Sequence, residues 1–210
     1  MPEMEALRSA FETIYRNDLW NRGSGPGSSP VNTIEYRAFL ERFLEANAIR
    51  TVTDFGCGDW QFSHLVDWSA VNYTGMDVVP ALVQENAARY GSDKVSFVTF
   101  SSLDSLPGGD LFICKEVLQH LPNAMILECL NAIRARYRFS LLTNTIEPGE
   151  DVNQDIPVGD WRPLRLDLPP FSARGATVFT YFVEADNQLW RNAVFLLLGD
   201  AAPRCPSRAY

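Results

Sequence analysis

Apolar positions along the chain follow first one period and then another. Leu7, Phe11, Ile14 and Tyr15, and again Tyr36, Phe39, Leu40, Phe43 and Leu44, recur at helical spacing, so two amphipathic helices precede the first strand. From Arg50 onward, short apolar runs alternate with helical stretches. The pattern predicts strand 50–55, helix 60–68, strand 71–76, helix 80–90, strand 95–100, strand 110–114, helix 122–136 and strand 138–144. Alternation of this kind predicts an α/β fold, a doubly wound and mostly parallel sheet with helices on both faces. After a long polar loop, Thr177 to Glu184 and Arg191 to Leu198 read as two further strands. Ala185, Asp186, Asn187 and Gln188 join them, so the seven-stranded sheet is expected to close with an antiparallel hairpin.

A chain of 210 residues suffices for one sizeable α/β core and is short for two domains, so a single domain is expected over 1–210. Within it, 1–49 carries the leading helices, 50–144 the alternating half, and 145–210 the polar loop and hairpin. The formal charge of -8 gives no attraction for phosphate backbones, and no run of Lys or Arg interleaves with aromatics; a nucleic-acid partner is disfavoured. Cys57, Cys114, Cys129 and Cys205 fall in no metal-ligand spacing, so no metal site is expected. Three of the four sit in predicted strand, turn or helix interiors, where a small apolar side chain suffices. No apolar stretch approaches the length needed to span a bilayer, and Met1-Pro2-Glu3-Met4-Glu5 lacks a basic start and apolar core, so a reduced, cytoplasmic setting with no membrane partner is the expectation.

The densest chemical signal is Val52-Thr53-Asp54-Phe55-Gly56-Cys57-Gly58-Asp59-Trp60, a buried strand breaking into a glycine turn. Gly56 and Gly58 remove Cβ atoms that would keep a ligand off the backbone. A helix from about Trp60 is expected to aim free N–H groups into the turn. A dinucleotide fingerprint would carry a third glycine where Gln61 stands, and no acid at Asp54. Val71 to Asp77 is a second strand ending in a carboxylate about 20 residues beyond the turn, the separation that sets an acid against a ribose diol. These residues resemble the class I S-adenosylmethionine-dependent methyltransferases, whose first motif has the form D-x-G-C/x-G and whose second strand ends in an acid. The resemblance runs from the first helix to the terminal strands.

It implies S-adenosyl-L-methionine as cofactor, held by Asp54, Gly56, Cys57, Gly58 and Trp60 at the first turn and by Asp77 and Val78 at the ribose. Where the family places an acid or amide near the adenine, this chain has Ser101, with Ser102 beside it; the two serines are adenine candidates, or form only a turn. The fourth strand empties into Lys115-Glu116-Val117-Leu118-Gln119-His120-Leu121-Pro122, at the strand ends where doubly wound folds bind ligands. Lys115 is a cofactor candidate there. His120 is the candidate general base, because an imidazole titrates near neutrality; the competing reading is a packed or capping residue. His64 reads as structural. The Asn/Asp-Pro-Pro-Tyr/Phe motif of amino-methylating DNA enzymes is missing from this segment, and Asp167-Leu168-Pro169-Pro170-Phe171 lies after the fifth strand, in the wrong place.

Asn21 to Pro30 is glycine- and serine-rich, a flexible connector or a lid over the cofactor, with Trp20 and Arg37 flanking it as cofactor candidates. Trp20, Trp60 and Tyr15 could face a sulfonium or could simply pack. In the loop after the fifth strand, Asn144, Asn153, Asp155 and Arg162 are the acceptor candidates, its carboxylates suiting an amine or hydroxyl and Arg162 a carboxylate or phosphate. The expected activity is methyl transfer to an O or N atom of a small molecule or glycan. The alternatives are a methyltransferase-like binding protein without turnover and an NAD(P)-dependent oxidoreductase.

Overall fold

The computed structural model describes residues 2–149 and 151–200. Four helices, α1 (Pro2–Arg16), α2 (Ile34–Ala46), α3 (Pro80–Tyr90) and α4 (Asn123–Arg136), accompany seven strands: β1 (Thr51–Phe55), β2 (Asn72–Asp77), β3 (Val95–Thr99), β4 (Gly109–Lys115), β5 (Tyr137–Thr145), β6 (Gly175–Ala185) and β7 (Gln188–Leu198). They form one sheet in the order β3-β2-β1-β4-β5-β7-β6. β1 to β5 are parallel neighbours, and β7 enters antiparallel between β5 and β6. The predicted order of elements is therefore the observed one, with one exception at 60–68.

The sheet is apolar on both faces because parallel strands must be covered on both. On one face Leu7, Phe11 and Ile14 of α1 and Ile126, Cys129 and Ile133 of α4 pack with Phe55, Phe112 and Leu142. On the other, Tyr36, Leu40 and Leu44 of α2 pack with Val52, Tyr73, Ile113 and Val194. The strand order reverses between β1 and β4, which leaves a crevice above their carboxyl ends. The hairpin turn uses left-handed Asp186 (φ 52°) and Asn187 (φ 59°), as a tight two-residue connection requires.

The exception is the stretch after the glycine turn. No α-helix forms over 60–68; a single 3-10 turn occupies Ser63–Leu65. Trp60 takes a left-handed conformation (φ 60°), and its ring is buried against Tyr73, Tyr90 and Phe97. Its indole N–H donates to the Tyr73 hydroxyl at 2.7 Å. Burying one large aromatic fixes a backbone incompatible with a first helical turn, and the segment's Trp, Phe, Ser, His and Val residues are weak helix formers.

Candidate cofactor and acceptor site

Above the sheet's switch point lies a cavity of about 490 Å³. Its floor is made by the ends of β1, β2 and β4, through Asp54, Phe55, Gly56, Cys57, Met76, Asp77, Val78 and Lys115. The glycine turn is held by its own N–H groups: Gly56 N and Cys57 N donate to the Met76 carbonyl at 2.8 and 3.1 Å, and Gly58 N donates to Asp77 Oδ2 at 3.0 Å. With these donors engaged and no helix behind them, the turn is not the anion nest of a pyrophosphate site, and the expectation of free helix N–H groups is corrected. Gly56 (φ 72°) and Gly58 (φ 56°) are left-handed; a Cβ would run into Val117 at the first and into Ser24 and Tyr15 at the second.

Two carboxylates face this floor. Asp77 is only 6 % exposed and accepts from Gly58 N and, through Oδ1, from Val79 N at 3.0 Å. Burial raises its carboxyl above the usual range although those backbone N–H groups pull it down. Asp54 accepts from the Tyr73 hydroxyl at 2.6 Å. Burial pushes it up to about 6 against the Tyr73 bond and the Lys115 ammonium.

The segment after α1 forms a second wall. Ser24 Oγ donates to Asp59 Oδ1 at 2.6 Å, lies 2.8 Å from the Tyr15 hydroxyl and accepts from Asp59 N at 3.1 Å. Ser24, Gly25, Pro26, Gly27 and Ser28 line the cavity with Trp20. Lys115 Nζ donates to the Gly27 carbonyl at 2.8 Å, and a Cβ on Gly27 would collide with the Glu116 carboxylate. The glycine-rich stretch is thus packed across the site.

The third wall carries Glu116, Gln119, His120, Thr145, Trp161, Asp186 and Trp190. Glu116 is left-handed (φ 57°), a conformation uncommon for a residue with a Cβ. It pairs with Lys115 and accepts from Asn192 Nδ2 at 3.0 Å. Burial would raise its carboxyl, but the Lys115 ammonium and the hydrogen bonds outweigh burial and hold it below the usual range. His120 Nδ1 lies 3.0 Å from the Asp160 carbonyl, which can only accept, so Nδ1 carries the hydrogen and Nε2 is left as an acceptor. Burial pushes this imidazole down to about 4, against the Asp160 bond and the Glu116 charge. Its ring packs on Trp20 with centroids 4.9 Å apart. Among the described residues, Asp54, Asp77, Glu116 and Asp186 line the cavity against one cation, Lys115. No group of three or more His, Cys, Asp or Glu among the described residues could hold a metal, and no described helix is long and apolar enough to cross a membrane.

Several predicted site residues lie elsewhere. Trp60 is in the aromatic core beneath the turn. Ser101 is exposed, Ser102 accepts from Ser105 in a turn, and Phe100 takes the cavity position at the end of β3. Arg37 donates to the Pro30 carbonyl at 3.2 Å, away from the cavity wall. None of the four acceptor candidates lines the cavity. Alternation along β5 turns Asn144 to the other face and presents Thr145 instead. Asn153 ties its loop together, donating to Arg165 O and Pro169 O at 2.8 Å and accepting from Arg165 N at 2.8 Å. Asp155 Oδ1 accepts from Asn123 N at 2.7 Å, capping α4. Arg162, 2 % exposed, donates to Leu118 O (3.0 Å), Leu121 O (2.8 Å) and Asn123 Oδ1 (2.9 Å), which pins the turn carrying Gln119 and His120. Cys205 lies outside the described residues. The missed lining residues, Trp161, Asp186 and Trp190 above all, come from loop and hairpin, where sequence period carries no orientation signal.

This sheet order, with β7 inserted antiparallel and a glycine turn after β1, is the fold of the class I S-adenosylmethionine-dependent methyltransferases. Solved structures of that class superpose on it. A 1,6-didemethyltoxoflavin-N1-methyltransferase from Burkholderia thailandensis, with 1,6-didemethyltoxoflavin and S-adenosylhomocysteine bound, gives a TM-score of 0.65 at 19% identity, covering 93% of this chain and 88% of that one. The magnesium protoporphyrin IX methyltransferase of Synechocystis PCC 6803 with S-adenosylhomocysteine gives 0.60 at 15%, covering 90% and 97%. The N-methyltransferase NodS of Bradyrhizobium japonicum WM9, also with S-adenosylhomocysteine, gives 0.60 at 13%, covering 91% and 98%. No protein-family model and no curated protein matches the sequence.

Proposed function

We propose that this chain, as one domain over 1–210, is an S-adenosyl-L-methionine-dependent methyltransferase acting on an O or N atom of a small molecule. The observation that carries the reading is the buried Asp77 carboxylate beside left-handed Gly56 on the floor of a 490 Å³ cavity, with left-handed Gly58 donating to it from behind. Asp77 has lone pairs to spare for a ribose diol after its two backbone bonds. Gly56 and Cys57 bring the backbone of the turn to the cavity floor, while Gly58 makes room for Ser24 and Tyr15; Val78 and Phe100 offer apolar contact to a base. Asp54, Glu116 and the rings of Tyr15 and Trp20 suit a cationic sulfonium. When bound, the cofactor supplies a methyl carbon already activated by its positive sulfur, with a neutral thioether as leaving group. The chain's task is then alignment, which alone can contribute roughly 7 to 11 kcal/mol. His120 keeps an imidazole acceptor in the cavity that orients the nucleophile's hydrogen. The three free cysteines among the described residues agree with a reduced, cytoplasmic setting.

S-adenosylhomocysteine at about 100 times its Kd is expected to stabilise the purified protein by roughly 2.7 kcal/mol in thermal unfolding, and NAD is expected to leave it unchanged. A shift with NAD and none with S-adenosylhomocysteine would replace this reading with the oxidoreductase one.

A further inference from the structure

Two groups on one wall of the cavity can only accept hydrogen bonds. Glu116 is an ionised carboxylate, and His120 has its single hydrogen committed to the Asp160 carbonyl. A hydroxyl nucleophile has one hydrogen to offer such a pair. A primary amino group has two, and its lone pair stays free. Both groups are also weak bases, since His120 stays neutral down to about pH 4 and Glu116 sits below the usual carboxyl range. A phenol, with a pKa of about 10, or an alkylammonium, at about 10.4, would find no base in this pair to take its proton. An amino group on an aromatic ring is already neutral at pH 7. Gln119, Thr145 and Asp186 share this wall, and its apolar part is flat and aromatic: Trp20 lies on the His120 ring, and Trp161 and Trp190 meet edge to face at 5.4 Å. Trp161 is 44% exposed at the rim, a large aromatic surface left open to solvent. The excess of carboxylates on the wall disfavours an acidic ligand.

Resting on the methyl-transfer reading, we propose that the acceptor is a primary amine on a planar aromatic or heteroaromatic ring, its two N–H groups held by Glu116 and His120 and its ring by Trp20, Trp161 and Trp190. The nitrogen lone pair forms the new N–C bond while the methyl's bond to sulfur breaks with its electrons remaining on sulfur. The methylated ammonium then releases its proton to water.

The test is equilibrium binding to protein saturated with S-adenosylhomocysteine, read by calorimetry and tryptophan fluorescence, with three matched probes: 6-aminoquinoline, 6-hydroxyquinoline and quinoline-6-carboxylate. The amine is expected to bind about tenfold more tightly than the hydroxyl compound, and the carboxylate not to saturate. Glu116→Gln is expected to weaken the amine about tenfold while the hydroxyl probe changes by less than about twofold. Because Glu116 is buried beside Lys115, Trp161→Ala on the exposed rim serves as the second variant and is expected to weaken the amine at least about threefold. Equal or tighter binding of the hydroxyl or carboxylate probe overturns the proposal, as does no binding of any probe by protein that takes up S-adenosylhomocysteine. Failure to take up S-adenosylhomocysteine overturns the methyl-transfer reading instead.

Discussion

The two ends of the cavity are held by different forces. The end proposed for the nucleoside rests on strand termini: β1 pairs with β2 and β4 through ladder bonds, and the glycine turn hangs from Met76 and Asp77. The end proposed for the acceptor has no ladder beneath most of it. Its turn at 118–121 is fixed by side chains reaching backbone carbonyls, with Arg162 as the centre and Asn153 stiffening the loop that delivers it. The first end is specified by chain topology; the second is specified by particular buried side chains, so its lining can change without disturbing the sheet.

Arg162→Ala should separate the ends most sharply. It leaves three oxygen acceptors without their guanidinium, so unfolding free energy is expected to fall by about 3 kcal/mol or more in chemical denaturation. S-adenosylhomocysteine affinity of the folded variant is expected to stay within about threefold of the parent, because the strand-end floor does not rest on Arg162. A loss of affinity as large as that from an Asp77 substitution would mean the two ends are one cooperative unit.

Asp77→Ala should do the reverse. The lost ribose bonds, about 1.5 to 3 kcal/mol for one charge-assisted bond, predict roughly a tenfold to hundredfold loss of S-adenosylhomocysteine affinity by calorimetry. The melting point of the ligand-free protein is expected to move little, since relief of a desolvated carboxylate offsets the loss of its bonds to Gly58 and Val79.

His120→Ala is expected to lower kcat about tenfold, with cofactor affinity unchanged, the effect of one orienting hydrogen bond and not of a strong base. The ratio of wild-type to variant rate, in which the titration of Asp54 near 6 cancels, should accordingly stay flat as pH falls from 8 to about 5 and decline only near 4, where the imidazole gains its proton. An acid limb centred near 6.5 would instead restore the general-base role expected of an unperturbed histidine.

The smallest effect is a change of slope. His120 is depressed from 6.5 to about 4, so its contribution to stability is present above 6.5 and lost as pH falls towards 4. Asp54 is raised from 3.8 to about 6, so its contribution is present below 3.8 and lost as pH rises through 6; Asp77 shifts the same way. The opposed signs flatten the ligand-free protein's stability between about pH 6.5 and 5. His120→Asn should uncover the carboxylates, so that the variant gains stability on acidification, by at most about 1.4 kcal/mol per pH unit for each group. A variant that still loses stability with acid over this window would remove the carboxylates from the explanation.

Much of this was legible along the chain. Apolar patterning gave seven strands in order and five helices, of which four form, because burying one helix stripe or both faces of a parallel strand leaves its mark on the residues themselves. Gly56, Gly58, Asp54 and Asp77 were legible because strand ends and left-handed turns demand particular residue types at fixed separations. Tertiary structure alone decided the rest. Whether Trp60 opened a helix or anchored a core depended on Tyr73, Tyr90 and Phe97, which arrive from β2, α3 and β3. Whether Arg162 met a ligand or two backbone carbonyls and the Asn123 amide oxygen depended on a turn some forty residues earlier in the chain. The pKa of His120 was set by burial under Trp20, and the acceptor wall by Trp161 and Trp190, which meet only once loop and hairpin fold together. A residue type states which bonds a side chain can make; only its neighbours in space determine which of them remain open to a ligand.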